Sequence, residues 1–286
     1  MLAKLGGEDL LTAGLNASEE VIAGRFWPEL ILQTECPVSQ YDALRQMVSS
    51  AVPPAGNLAC VALAGQGFHG QHQRSWSVAP GNLHLSVVLK CDLPAAEFAP
   101  VMPALPAVAV TAAIAQLGAG QLAPGIKWVN DVLLNGKKVA GVLTALRTHR
   151  SRITAVVLGV GLNVEVAPAL SGDSRSVPAT SLRAELRDEL PAESPSLQAV
   201  LAAVLSNLAS GFERLQGSGP DDLLAAYRDA SLVLGQQVSI WPDTEDALSP
   251  LHRGRVLSIE PDLSLRLQGV PGPIASGRLT LVGPGT

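Results

Sequence analysis

Two apolar runs meet at the dipeptide Asn135-Gly136, and this local signal constrains the fold most strongly. The runs cover Asp131–Leu134 and Val139–Ala145. Asn and Gly both tolerate positive φ, which a tight turn between antiparallel strands requires. The sequence therefore predicts a β-hairpin whose two strands bring residues on either side of the turn next to each other.

Other segments predict a sheet covered by helices. Uninterrupted apolar runs beside glycine are typical of buried strands, and they occur at Leu58–Ala64, Leu83–Leu89 and Ile153–Val160. The segment Arg25–Gln33 is a candidate edge strand with Pro28 near its start. Helices are predicted over Ser39–Val48 with Ser39 as the cap, from near Pro106 to Leu117, and over Ser196–Leu215.

The pattern changes near Leu232, beyond which the chain carries short strands. These are predicted at Gln237–Trp241, Gly254–Glu260, Leu263–Leu267 and Arg278–Val282. Several short strands separated by turns favour a small barrel. We therefore expect a polar leader over residues 1–24, an α+β domain of catalytic size over 25–231 and an all-β domain over 232–286.

Composition excludes several classes of function. The 286 residues carry 20 Lys+Arg against 25 Asp+Glu, for a net charge of −5, without the basic clusters of a general nucleic-acid binder. The sequence has neither a signal peptide nor an apolar stretch of about 18 residues, which predicts a cytoplasmic protein without a membrane partner. Its three cysteines are distant from one another and odd in number, so we expect reduced, packed thiols.

The loop from Gly65 to Trp76 joins two predicted buried strands and has an unusual composition. It holds three glycines, two His, three Gln, one Arg and one Trp. Glycines allow backbone N–H groups to approach an anion, Arg74 can bind a phosphate and Trp76 can stack on a planar group. A surface loop with Trp76 packed on the core is the alternative, and composition alone leaves both open.

The hairpin offers a second candidate site. Asn130 and Asp131 on one strand are expected to lie near Lys138 on the other, and a Lys beside an Asp/Asn pair can bind a phosphate or a carboxylate. Lys137 is better interpreted as a solvated charge at a strand end, and Lys138 stays undecided on the residues alone. Asn163, which follows a buried strand, is a candidate site residue or a turn former.

Three histidines raise the question of a metal site. His69, His72 and His84 have no acidic or cysteine partner at ligand spacing nearby. We therefore predict hydrogen bonding within the loop rather than a protein-held metal cage.

Together these segments resemble the biotin protein ligases, or biotin–[acetyl-CoA-carboxylase] ligases, of the biotin/lipoate protein ligase family. The family's hairpin pattern begins K-W-P-N-D and ends K-[LV]-[AS]-G, and Lys127–Gly141 matches it with Val129 in place of Pro. Further family segments match Pro80–Ser86, Gly159–Asn163, Ala179–Leu182 and Gly254–Leu279. The resemblance runs from about Ile31 to Val282, and the hairpin is its most specific part.

The resemblance implies an α+β fold, with a mixed-sheet catalytic domain followed by a small SH3-like β-barrel. It implies an enzyme that uses ATP and Mg²⁺ to form biotinyl-5′-AMP and then transfers biotin to a Lys of the biotin carboxyl carrier protein of acetyl-CoA carboxylase. Repressor members carry an N-terminal helix-turn-helix, and the roughly two dozen residues before the first predicted strand are too few for one, so we expect no DNA partner. Family members often form homodimers.

The resemblance also assigns residues. Lys138 and Asp131 are the catalytic pair, with Lys138 on the biotin carboxylate and α-phosphate and Asp131 orienting the nucleophile or lying near magnesium. Asn130 and Asn163 hold the nucleotide. The remaining biotin and adenylate contacts fall on Ser39, Gln40, Gln66, His69, Gly70, Gln71, Arg74, Trp76 and Gly141.

The chain departs from the family in the loop. The family pattern G-R-G-R-R-G-R-x-W aligns with Phe68–Trp76, where Gly70, Arg74 and Trp76 are kept and three arginines are replaced by His69, Gln71 and His72. Gln and neutral His cannot reproduce the bidentate bonds of a guanidinium. We therefore expect weaker adenylate retention or a different acyl substrate. A lipoate- or octanoate-type ligase and a weakened ligand-binding homologue are the alternatives.

Overall fold

The computed structural model describes residues 26–50, 54–169, 175–186, 195–244 and 247–282. The predicted leader over 1–24 and residue 25 of the predicted edge strand lie outside the described residues. None of the described helices is long and apolar enough to cross a membrane.

Within these residues the main sheet has seven strands in the order β1-β2-β3-β7-β6-β5-β4. Strands β1 and β2 are parallel and the remaining neighbours are antiparallel, so the predicted mixed sheet is confirmed. The strands are β1 (Glu29–Gln33), β2 (Leu58–Ala62), β3 (Leu83–Pro94), β4 (Gly125–Lys127), β5 (Asp131–Leu134), β6 (Lys137–His149) and β7 (Arg152–Leu162). Strand β1 lies at the edge, as its sequence predicted, but it begins at Glu29, directly after Pro28, rather than before the proline.

The described helices are α1 (Gln40–Ser49), α2 (Ala95–Phe98), α3 (Ala104–Leu117), α4 (Leu182–Leu186), α5 (Leu197–Ser218) and α6 (Asp221–Asp229). Ser39 caps α1 and Ser196 caps α5, each by accepting a backbone N–H of the first turn. The prediction that a helix starts near Pro106 was two residues late, because proline is accepted anywhere in a first turn that needs no N–H donor. The segments that form β4, α2, α4 and α6 were not predicted.

Helices cover both faces of the sheet. Helices α3 and α5 pack on one face with Val156 and Leu158 of β7. Helix α1 packs on the other with Ala155 and Val157. Since alternate strand residues point to opposite faces, a strand covered on both sides needs apolar residues at every position. This explains the uninterrupted apolar run.

The predicted hairpin is confirmed. Asn135 and Gly136 have φ of 48° and 74°, the left-handed values that the tight turn requires. The register pairs Asp131 with Gly141 and Leu133 with Lys138, with a bulge between Val132 and Leu133.

The small β region is also confirmed as a separate antiparallel sheet. Its strands are β8 (Gln237–Trp241), β9 (His252–Ile259), β10 (Leu265–Leu267) and β11 (Arg278–Leu281), in the order β10-β9-β8-β11. Trp128 fastens this sheet to the start of the hairpin by donating from Nε1 to the Leu263 carbonyl at 2.7 Å. We propose the domain boundary at residue 232, which lies between α6 and β8.

Candidate active site

A cavity of about 1100 Å³ lies between the main sheet, the loop after β2 and the small sheet. The residues that the sequence predicted for a site and that line this cavity are Ser39, Gln40, His69, Gly70, Gln71, Arg74, Trp76, Asn130, Asp131, Lys138, Gly141 and Asn163. Gln66 is placed differently. Gln66 is exposed to solvent and does not line the cavity. Its backbone N–H donates to the Cys36 carbonyl at 3.0 Å.

The hairpin brings a carboxylate between two ammonium groups. Lys138 Nζ lies 2.6 Å from one oxygen of Asp131, and Lys127 Nζ lies 3.8 Å from the other. Burial raises the pKa of Asp131, but the positive charges of Lys138 and Lys127 outweigh burial and hold that pKa below its usual value. Asp131 is therefore a carboxylate at neutral pH, and it orients Lys138 by an ion pair.

Backbone hydrogen bonds fix the position of Lys138. Its N–H donates to the Pro178 carbonyl at 2.7 Å, and its carbonyl accepts from the Thr180 N–H at 2.9 Å. Beside it, Lys137 Nζ lies 3.2 Å from the buried Glu185 carboxylate. The two neighbouring lysines therefore differ in role, since Lys138 faces the cavity and Lys137 anchors the hairpin turn to α4.

The loop after β2 is fastened at His69. Its Nε2 lies 2.8 Å from an Asp42 carboxylate oxygen and its Nδ1 lies 2.9 Å from the Gly70 carbonyl. Burial lowers the pKa of His69, but the Gly70 carbonyl and the Asp42 carboxylate outweigh burial, so its pKa is raised. The protonated ring can donate to both acceptors, so protonation strengthens the attachment of the loop to α1.

Trp76 covers the floor of the cavity. A Cβ at Gly161 would lie 2.4 Å from two carbons of the Trp76 ring, so this approach requires glycine. Lys138 Nζ lies 5.6 Å from a ring centroid of Trp76, and Trp76 Nε1 donates to His84 Nδ1 at 3.3 Å. The loop composition left open whether Trp76 packs on the core or contributes to a binding site. The structure shows Trp76 in both positions, because it packs on the sheet and also lines the cavity.

Two residues that line the cavity, Asn163 and His84, each carry a buried polar atom that has no partner in the described part of the chain. The carbonyl oxygen of Asn163 and Nε2 of His84 have no hydrogen-bond partner among the described residues, although each residue is 2% exposed. The Asn163 amide nitrogen donates to the Thr180 carbonyl at 3.0 Å, so only its oxygen lacks a partner within the described ranges. Burial lowers the pKa of His84 to about 4, so its ring is neutral. Such groups are stabilised by a bound polar ligand.

Three other predicted residues have local structural bonds. Gln40 donates to the His84 carbonyl at 2.7 Å and so joins α1 to β3. Ser39 caps α1. Asn130 donates from Nδ2 to the Val142 carbonyl at 2.8 Å and closes the open end of the hairpin. These residues shape the cavity wall as well as line it.

Sequence reasoning missed charged residues that come from distant segments. Lys127, Arg175, Asp243 and Arg278 line the cavity, together with the hydroxyl-bearing Ser176. Lys127 lay inside the hairpin motif and could have been singled out there. Arg278 lay inside the family match of Gly254–Leu279 but was not singled out there. The others carried no local signal, because folding brings them to the site from the segment after β7 and from the small sheet.

The charge of the cavity wall is positive. Among the described lining residues the cations are Arg74, Lys127, Lys138, Arg175 and Arg278, and the carboxylates are Asp131 and Asp243. The whole chain carries a net charge of −5. A cationic cavity in an acidic protein favours an anionic ligand with several charges.

Comparison with known proteins agrees with this geometry. Residues 40–163 match the model of the Biotin/lipoate A/B protein ligase family. The biotin–[acetyl-CoA-carboxylase] ligase of Mycobacterium tuberculosis is 30% identical over 223 residues, covering 76% of this chain and 76% of that protein. The bifunctional ligase/repressor BirA of Bacillus subtilis is 37% identical over 114 residues, covering 40% of this chain and 34% of that protein.

The fold is shared with solved structures. The structure described as biotin protein ligase from Aquifex aeolicus in complex with biotin and ATP has a TM-score of 0.65 at 20% identity, covering 88% of this chain and 98% of that one. The chain spans between about a third and a half of the length of the first curated relatives that it matches. With the relative from M. tuberculosis matched over three quarters of both sequences, this chain belongs to the biotin/lipoate A/B protein ligase family.

Proposed function

We propose that the protein is a biotin–[biotin carboxyl-carrier protein] ligase, which activates biotin with ATP and transfers it to a lysine of an acceptor protein. The observation that carries this proposal is the Lys138–Asp131 pair, fixed by backbone bonds at the floor of a cationic cavity. Relatives support the choice of substrates, since the A. aeolicus protein was solved with biotin and ATP and the Leishmania major protein with biotinyl-5-AMP.

In the first step a carboxylate oxygen of biotin attacks the α-phosphorus of ATP. The new C–O–P linkage forms as the bond to the β-phosphate oxygen breaks, and pyrophosphate leaves. Two anions must approach each other, so the main task of the protein is to hold them and to neutralise their charge. Lys138 is placed for this task because its ammonium faces the cavity and is oriented by Asp131.

In the second step the amine of an acceptor lysine attacks the carbonyl carbon of biotinyl-5′-AMP. An amide forms, the amine loses a proton and AMP leaves. The pKa of Asp131 is lowered, so it is a weak base. We propose that Asp131 orients the attacking amine by a hydrogen bond. The acceptor is the biotin carboxyl carrier protein of acetyl-CoA carboxylase, in line with the name of the M. tuberculosis relative.

The buried polar atoms of Asn163 and His84 in the cavity lining, which have no partner among the described residues, support a nucleotide base as a ligand. The carbonyl oxygen of Asn163 can accept from the exocyclic amine of adenine, and a buried acceptor discriminates strongly against a ligand that leaves it unpaired. Neutral His84 can donate from Nε2 to a ring nitrogen or to an oxygen of the bound adenylate. Asn130 supports the nucleotide indirectly, by closing the hairpin that carries Asp131.

Magnesium enters this proposal as part of the Mg·ATP substrate. In the described part of the chain, no group of three or more His, Cys, Asp or Glu side chains is placed to hold a metal ion. Asp131 has one oxygen paired with Lys138 and the other near Lys127. Both carboxylate oxygens of Asp131 therefore already interact with lysine ammonium groups. No step above depends on a metal held by the protein.

The loop favours weak retention of the adenylate. Where the family has arginines the loop presents His69, held by Asp42, and the half-buried Gln71 and exposed His72. The same loop is the reason to keep lipoate or octanoate as the alternative acyl substrate, since the matching family model includes lipoate ligases. A homologue that binds the ligands but transfers slowly is the other alternative.

Parallel assays with the purified protein test the proposal. Pyrophosphate release from Mg·ATP is measured with biotin, lipoate and octanoate, and an acceptor domain is then examined by mass spectrometry. We expect pyrophosphate release with biotin and a biotinylated acceptor lysine. Release with lipoate or octanoate alone would overturn the biotin assignment, and binding of both ligands without any release would identify a weakened homologue.

A further inference from the structure

Glu185 of α4 is a buried carboxylate that the steps above do not use. It is 8% exposed, and it accepts hydrogen bonds from the hairpin turn and from the residues just before α4. One of its oxygens accepts from the Thr180 hydroxyl and, at 3.2 Å, from the Lys137 ammonium. The other accepts from the Asn135 amide at 2.7 Å. Burial raises the pKa of Glu185, but these donors outweigh burial and lower that pKa, so the group is a carboxylate at neutral pH.

The three bonds to Glu185 differ in weight. The Lys137 side chain is 49% exposed, and an ion pair with one exposed end contributes little. Asn135 has a φ of 48°, so its bond holds a residue of the tight turn. Thr180 is 3% exposed, and a buried hydroxyl that loses its acceptor is destabilising. The bond from Thr180 therefore links Glu185 most firmly to the rest of the molecule.

Thr180 uses all of its polar groups, and two of them contact residues of the site. Its N–H donates to the Lys138 carbonyl at 2.9 Å. Its carbonyl accepts from the Asn163 amide nitrogen at 3.0 Å, which sets the direction of the Asn163 oxygen. Its hydroxyl donates to Glu185. A displacement of Thr180 would therefore move Lys138 and Asn163 together.

We propose that Glu185 is a positioning residue for the reaction, and that it acts by holding Thr180. Thr180 in turn fixes Lys138 for the first step and Asn163 for binding of the base. Glu185 lies outside the cavity lining and contacts neither group itself. Small displacements of reacting groups are costly, so a residue that fixes their support affects the rate. The inference rests on the proposed function for the roles of Lys138 and Asn163.

Two variants remove the link between α4 and the site. Thr180→Val deletes the hydroxyl from a side chain of similar shape. Glu185→Gln has one acceptor oxygen where the carboxylate has two, so at least one donor loses its bond. For each variant we expect kcat for pyrophosphate release with biotin to fall by about tenfold and adenosine affinity, measured by calorimetry, to fall by about three- to tenfold.

Ser181→Ala is the matched control. Ser181 follows Thr180 in the chain and is 2% exposed. Its hydroxyl donates to the Glu165 carbonyl and accepts from the Ala184 N–H, both at 3.3 Å, so its bonds do not reach the lysine or the amide of the site. We expect Ser181→Ala to lose stability in denaturant as Thr180→Val does, with the kcat and the adenosine affinity of wild type.

A double variant separates positioning from a general loss of stability. Glu185→Gln is combined with Lys138→Ala, and the residual pyrophosphate release is followed with radiolabelled ATP. If Glu185 acts on the rate by fixing the lysine, its loss has no further target, and we expect kcat to fall less than twofold below that of Lys138→Ala. A further tenfold loss in the double variant, or the same loss of kcat in Ser181→Ala, would overturn the inference.

Adenosine binding needs no reaction, so it distinguishes this inference from the proposed function. If wild type releases no pyrophosphate with biotin, lipoate or octanoate, but Glu185→Gln weakens adenosine and Ser181→Ala does not, the ligase proposal is wrong and the link to Asn163 stands. If wild type biotinylates an acceptor and both Thr180→Val and Glu185→Gln keep its kcat and adenosine affinity, the ligase proposal stands and the positioning role is wrong.

Discussion

The hairpin over residues 127–141 and the loop over residues 65–76 both line the cavity, but different interactions hold them. The hairpin is a strand pair inside the sheet, and Lys138 has backbone bonds to a third segment as well. The loop is attached mainly through His69 and Trp76, while residues 72–75 between them are exposed. A rigid element positions reacting groups best, whereas a loop can adjust to a ligand. This difference is the basis on which we propose that the hairpin carries the chemistry and the loop retains the ligand.

Removal of the hairpin lysine is expected to have the largest effect. Lys138→Ala deletes the oriented cation at the floor, and we expect adenylate formation, measured as pyrophosphate release, to fall by about a hundred- to a thousandfold. Lys137→Ala is the matched control, because its ammonium pairs with Glu185 outside the cavity lining. Equal losses in the two variants would mean that the hairpin lysines act through stability rather than through the reaction.

The contact between the loop and the sheet is tested at Gly161 of β7, which pairs with Gly141 of the hairpin. A methyl group there would meet the Trp76 ring, which must move off the floor. We expect Gly161→Ala to reduce kcat/KM for the acyl substrate by roughly ten- to a hundredfold, because small displacements of positioning groups are costly. Gly217→Ala serves as the control, since nothing lies within 4 Å of its added Cβ. Activity of Gly161→Ala equal to that of this control would remove Trp76 from the site.

The loop arginines can be restored one at a time. Gln71 lines the cavity, so Gln71→Arg returns a guanidinium toward the adenylate, and we expect release of the adenylate to slow by about three- to tenfold. The measurement is the half-time of adenylate loss after gel filtration without acceptor. Gln66→Arg places the same charge in the same loop outside the lining. Equal slowing by both variants would show that loop charge, rather than position, governs retention.

The same contrast explains how much the sequence could predict. The hairpin was predictable because the Asn135-Gly136 turn sets the register locally, and that register pairs Lys138 with Leu133, two residues from Asp131. The apolar runs likewise marked the strands. The attachments of the loop depend on tertiary contacts. Asp42 precedes His69 by 27 residues, and no local pattern indicates that pairing.

The position of Arg278 was unpredictable for the same reason. Ser176, which holds it, is 102 residues earlier in the chain, and the packing of the small sheet against the main sheet brings the two together. The family match over Gly254–Leu279 includes Arg278, but nothing in the pattern of this short, partly buried strand indicates that the side chain lines a cavity. Gln66 shows the converse, since a resemblance placed it in the site and its backbone bond to Cys36 leaves its side chain outside.

The smallest expected effect concerns the pH dependence of the loop. The pKa of His69 is raised when the loop is attached to Asp42, so the attachment is complete below the free-histidine pKa of about 6.5 and weakens as pH rises through the raised value. Arg45 also pairs with Asp42 at 3.1 Å and opposes protonation of His69. The Asp42 side chain is 37% exposed, which limits the attachment to about 1 kcal/mol or less.

We therefore expect hydrogen-exchange protection of residues 67–76, corrected for intrinsic rates, to be about two- to fivefold greater at about pH 6 than at about pH 8. Protection of helix α5, which lies in the core, is the internal reference. Asp42→Asn and His69→Gln should each abolish the pH difference in the loop without changing α5. A pH difference that persists in both variants would mean that another titrating group holds the loop, and the His69–Asp42 pair would then not be its attachment.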